Sequence, residues 1–63
     1  MNITNEQWQT LKAYIADDLK MCLAQEMAHK KEGKESRAKE WFMAAETERQ
    51  ILSEMNAIEK KSD

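Results

Sequence analysis

The chain has no proline and a single glycine, Gly33. Nothing else along it forces a helix to stop, and glycine is the residue best suited to the position just past a helix end. There is one cysteine, Cys22, which excludes an internal disulfide; a lone thiol fits a reducing compartment better than a secreted disulfide scaffold. Long apolar runs are missing too. Asp17 and Asp18 interrupt the first half, and no basic segment followed by an apolar stretch opens the chain, so neither a signal peptide nor a membrane span is expected. Neither sign of charge dominates: 10 Lys and Arg stand against 12 Asp and Glu, a net of -2, which gives no general attraction to nucleic acid or anionic lipid. With 63 residues there is room for one domain, 1–63, and one core of this size rarely supplies more than about 3–5 kcal/mol. The expectation is a small, soluble, intracellular, all-α protein that needs help from a partner copy.

What is present is helix. Thr4 can cap a helix N-terminus and Gln7 stands three residues on, which completes a capping box; Ile3 and Trp8 occupy the two positions of a hydrophobic staple. Glu6 lies in the first turn, where the helix dipole favours an anion, and Lys30 and Lys31 lie where it favours cations. The first helix is therefore predicted over about 5–32, closed by Gly33. A turn over 33–36 follows, then a second helix over about 37–59 with Ser36 as its N-cap, and a frayed tail over 60–63. On the first helix Trp8, Leu11, Ile15, Leu19, Cys22 and Leu23 form one apolar stripe, with a weaker strip of Tyr14, Met21, Ala24 and Ala28 behind it. On the second, Trp41, Glu48 and Met55 repeat at one heptad position and Ala44, Ile51 and Ile58 at the other, with Leu52 in the apolar set and Phe42 at its margin. Glu48 falls in that seam, where it can snorkel, set register or meet Lys20.

Folding back at Gly33 pairs residue i with roughly residue 68 minus i, so that Leu23 meets Ala45 and Ile15 or Ala16 meets Leu52. The expected architecture is an antiparallel two-helix hairpin, dimerising into a four-helix bundle because one layer of core leaves each stripe partly wet. A single unbroken helix is the rival, since one exposed glycine costs a helix only about 1 kcal/mol.

Catalytic and metal signatures are thin. Cys22, Glu26 and His29 share a helix face, and Glu26–His29 has the Glu-x-x-His form used in di-iron bundles, with Glu40 nearby across the hairpin. The motif is short, however, and lies beside Lys30 and Lys31, which repel a metal. No metal site and no cofactor are expected. One Cys and one His on the same helix, without an oxyanion hole, do not make a thiol enzyme, so no enzymatic activity is expected either.

Two surfaces remain. Between residues 29 and 39 five cations (Lys30, Lys31, Lys34, Arg37, Lys39) face two glutamates, a net of +3. Lys30, Lys31, Lys34 and Arg37 are thus candidate nucleic-acid contacts, the alternative being a solvated turn; no aromatic residue is interleaved to stack on bases. The apolar residues offer the second surface. Trp8, Leu11, Ile15, Leu19, Trp41, Leu52 and Met55 are assigned to the hairpin core or a homodimer interface, and Tyr14, Phe42 and Met21 to contact with another protein, since interfaces favour aromatic residues and Met.

The opening Met1-Asn2-Ile3-Thr4-Asn5-Glu6-Gln7-Trp8 and the turn Lys31-Glu32-Gly33-Lys34-Glu35-Ser36 resemble, over essentially the whole chain, a family of small early proteins from the exo–xis region of lambda and Shiga-toxin-converting bacteriophages. The resemblance implies an accessory protein made in the bacterial host cytoplasm that influences lysis–lysogeny, prophage induction and host replication or cell cycle by binding a host or phage regulatory protein. It carries no functional residue onto this sequence.

Overall fold

Thr4 starts the first helix as a capping box requires. In the computed structural model, which describes residues 2–61, its Oγ1 accepts the Gln7 N–H at 3.0 Å while Gln7 Oε1 accepts the Thr4 N–H at 2.8 Å. Helix α1 spans Asn5–Lys31 and helix α2 spans Glu35–Lys61. The box satisfies two backbone donors that a helix start otherwise leaves to water. Thr4→Ala is expected to cost about 1 kcal/mol, which lowers the melting temperature of a domain this size by about 4–8 °C; thermal circular dichroism measures it, and an unchanged midpoint would show the cap to be redundant.

Gly33 closes α1 with φ at 76°, the left-handed region, and is the sole described residue with positive φ. The Gly33 N–H bonds the Lys30 carbonyl at 3.1 Å and the Lys34 N–H bonds the His29 carbonyl at 2.9 Å, the two bonds of a Schellman motif. The reversal is tighter than the sequence suggested. The Lys34 carbonyl already accepts the Ala38 N–H at 3.0 Å, so Lys34 occupies the cap position and Ser36 lies inside the first turn of α2. At the other end α2 carries on through Lys60 and Lys61, where the helix dipole favours cations; of the tail expected to fray, Ser62 and Asp63 lie outside the described residues.

The two helices pack antiparallel along their whole length into a rod of 46 × 17 × 15 Å. Gln9 bonds Glu59 and Lys12 bonds Asn56, as the expected pairing requires; Cys22 with Glu48 and His29 with Trp41 lie two residues further along. The seam repeats every seven residues. On α1 the rows are Trp8, Ile15, Cys22, His29 and Lys12, Leu19, Glu26; on α2 they are Ala38, Ala45, Leu52, Glu59 and Trp41, Glu48, Met55. All of these are buried or half-buried.

The second α2 row therefore differs by one position from the Ala44, Ile51, Ile58 row read from the sequence, and Ile51 and Ile58 are exposed at 39% and 50%. Leu11 and Leu23 likewise fall outside the α1 seam and are exposed. The physical reason is size. Cys22, Ala38 and Ala45, each 2% exposed or less, let the two backbones approach closely, whereas a row of isoleucines would hold them apart. With Met55 they make up the buried apolar set, a small core for two 27-residue helices.

Candidate functional site

Midway along the seam sits a cluster the sequence did not foretell. Cys22 Sγ donates to Glu48 Oε1 at 3.2 Å, with Asp18 Oδ2 at 3.7 Å, and the three donor atoms lie within 4.8 Å of one another. Asp18 and Cys22 come together because they are one helical turn apart; Glu48 reaches them because its heptad row points into the seam. Glu48 therefore meets Asp18 and Cys22, and not Lys20 as its position in the sequence had allowed. Burial, reinforced by Glu48 and then Asp18, pushes the Cys22 thiol up to about 11, so at neutral pH it is a protonated donor and a poor nucleophile. The hydrogen bond with Asp18, followed by desolvation, raises the Glu48 carboxyl above its ordinary value, while its bond with Cys22 acts against the rise.

The Cys22, Glu26, His29 constellation does not converge. Glu26 pairs with Lys30 at 3.0 Å, and His29 Nδ1 lies 2.7 Å from the Gln25 carbonyl while its ring packs on Trp41 with centroids 6.4 Å apart. Among the described residues the one set of donors close enough to share a cation is Asp18, Cys22 and Glu48, and hydrogen bonds inside the set account for all three.

The open end of the hairpin is tied by a second polar group. Lys12 Nζ contacts Glu59 Oε2 at 2.7 Å and Asn56 Oδ1 at 3.0 Å, and Gln9 Nε2 donates to Glu59 Oε1 at 2.9 Å. Lys12, then Gln9, hold the Glu59 carboxyl below its ordinary range. Trp8 Nε1, buried beside this group, makes no well-formed hydrogen bond, and its effect on Glu59 is the weakest of those that act there. Glu48 stands in the seam as its heptad row required, and a seven-residue count from Ala38 would have placed Glu59 there as well; Lys12, in the row of Leu19, was passed over because it is not apolar.

At the turn, Lys30 is engaged by Glu26 and Lys34 by Glu32 at 3.1 Å, while Lys31 and Arg37 make no ion pair among the described residues. Half of the expected basic contacts are thus neutralised locally.

The two long sides of the hairpin differ. The Gln9–Glu59 and Lys12–Asn56 bonds, and a shallow groove of about 450 Å³ bordered by Lys30, Glu35 and Phe42, show which flanks share a side. That side carries Gln9, Ala16, Leu23 and Lys30 beside Glu35, Phe42, Arg49 and Asn56, and is mixed in character. By helical phase the other side carries Leu11, Asp18 and Gln25 beside Arg37, Ala44, Ile51 and Ile58, with Tyr14 and Met21 just beyond on α1 and Glu40, Thr47 and Glu54 just beyond on α2; its middle is apolar and its margin charged. Of the three residues assigned to partner contact, Tyr14 (70% exposed) and Met21 lie on the apolar side and Phe42 on the mixed one. Trp8, Ile15, Leu19, Trp41, Leu52 and Met55 lie in the seam, and Leu11 does not.

No family model, curated protein or solved structure matches this chain. No described helix is long and apolar enough to cross a membrane.

Proposed function

We propose that this protein is a non-enzymatic interaction module, a helical hairpin that works in pairs as a four-helix bundle and binds a regulatory protein. One observation carries the reading: ten large apolar side chains are exposed among the described residues, against four buried apolar residues, three of them small. A two-helix rod with that distribution has spent its sequence on surface contact, since scattered single apolar residues are ordinary but long rows of them mark interaction sites. The resemblance to the exo–xis early proteins supplies the setting. On this reading the chain acts in the host cytoplasm as an accessory regulator of phage development, lysogeny or prophage induction, through a host or phage protein.

The alternative reading is a small nucleic-acid-binding regulator that uses the turn, with Lys31 and Arg37 as its free cations. Capture of bound material from bacterial lysate, with and without nuclease, separates the two. Protein partners that persist after digestion are the expected result, with Phe42→Ala weakening capture while leaving helicity intact. Loss of all partners on digestion would overturn the protein-contact reading in favour of nucleic acid.

A further inference from the structure

Two sides of the rod are exposed, and they are unequal in what they can bind. The hairpin has 5162 Å² of accessible surface. A compact monomer of 7.4 kDa exposes about 4,200 Å² by the usual scaling, so this chain shows about 1,000 Å² more than its mass warrants. A standard interface covers about 800 Å² on each partner, so the surplus is what one stable contact would remove.

We infer that a second copy of this chain covers the side carrying Leu11, Tyr14, Met21, Ala44 and Ile51. Three features select that occupant. First, the apolar row runs along α2 through Ile51 to Ala44, with Leu11, Tyr14 and Met21 beside it on α1, a strip of about 20 Å along the middle of the 46 Å rod that a second hairpin laid alongside would cover. Second, an isologous two-fold contact uses the same patch twice, and the middle of this patch joins Leu11, Tyr14, Met21, Ala44 and Ile51, with Arg37 and Glu32 at its turn end and Glu40 and Glu54 along its α2 margin, so that its apolar centre can meet itself while the charges stay at the rim. Third, the opposite side holds Lys30, Glu35 and Arg49 together with the Lys12–Glu59 group, all of which keep contact with water there. The inference rests on the pairing proposed above and names the surface that does it. The mixed side, with Phe42, is then left for a different protein.

Sedimentation equilibrium over a dilution series, with circular dichroism on the same samples, tests the surface. Ile51→Glu should weaken the dimer by at least about 100-fold, because the two-fold places the charge in the interface twice. Phe42→Glu should leave it within about twofold, since exposed substitutions away from a contact have small effects. If Ile51→Glu proves unfolded, Ile51→Ala and Phe42→Ala give the same comparison, with about tenfold weakening against none. A dimer broken by the Phe42 variants and indifferent to the Ile51 variants would overturn the assignment of the surface while leaving the pairing intact. A wild-type chain that stays monomeric at every concentration would overturn both.

Discussion

Ala45→Phe should remove a large share of the hairpin's stability, while Ala57→Phe, twelve residues along the same helix, should leave it nearly unchanged. Ala45 is 0% exposed and lies in the row that α2 turns into the seam; Ala57 is exposed. A phenyl ring at position 45 has no room unless the helices part, and parting them opens Cys22 and Ala38 as well. Overpacking a well-filled core typically costs about 1–3 kcal/mol. Against a total of about 3–5 kcal/mol for a chain of this size, that is a large share of the stability. At about 4–8 °C per kcal/mol, the melting temperature should fall by about 4–24 °C for Ala45→Phe, and by no more than a few degrees for Ala57→Phe. Equal effects at the two positions, read by thermal denaturation, would mean that small residues do not set the helix separation.

Glu48→Leu should act in the opposite direction. Glu48 stands between Trp41 and Met55 in a seam row that is otherwise apolar, and its carboxyl is raised above its ordinary value by Asp18 and by desolvation. Leucine there joins the core and leaves Asp18, which is exposed, free to hydrate. The gain should be about 1–2 kcal/mol at neutral pH, in line with replacement of buried charged groups by apolar ones. The substitution should also change how stability depends on pH. In the native protein the Glu48 pKa is raised, so the folded state holds more protons than the unfolded one over the range above the ordinary glutamate value; the stabilisation is complete below that value and is lost as pH rises through the folded pKa. Glu59 works the other way: its pKa is lowered, so its contribution is present above the ordinary value and lost on strong acidification. Stability should therefore peak in mild acid, with a decline toward neutral pH that Glu48→Leu removes and a decline in strong acid that it leaves. Urea titrations at a series of pH values would show both limbs. A loss of stability at pH 7 in Glu48→Leu would mean that the Asp18–Cys22–Glu48 group holds the helices together rather than straining them.

The helix ends were legible because their signals are local. Thr4 and Gln7 specify a capping box within four residues, and Gly33 is the one residue able to take φ at 76° without steric cost. The antiparallel pairing was legible too, since a turn at a known place fixes which residues oppose one another. The phase of the seam was not. Leu11, Ile51 and Ile58 are as apolar as Ile15 and Leu52, and hydropathy cannot say which apolar row turns toward the neighbouring helix and which toward a second molecule. The small side chains of Cys22, Ala38 and Ala45 are the ones most deeply buried, and with them in the seam the period of seven carries Lys12 and Glu59 inward beside Glu48. The polar cluster was half legible: Cys22 and Glu48 were each read into the seam, but Asp18, Cys22 and Glu48 carry no spacing motif, and the two-residue offset of the pairing that sets Glu48 against Cys22 is not encoded in hydropathy.

Cys22 offers an experimental handle on the motion of this rod. Its sulfur is the chain's single thiol, it lies near the middle of the seam, and it is shielded from solvent as long as the helices stay together. An alkylating reagent added to the native protein can reach it only during moments when α1 and α2 separate, so the rate of modification is a stopwatch on how often the hairpin gapes. Because burial and two carboxyls also keep that sulfur protonated, reaction in the closed form is negligible and the clock runs against almost no background.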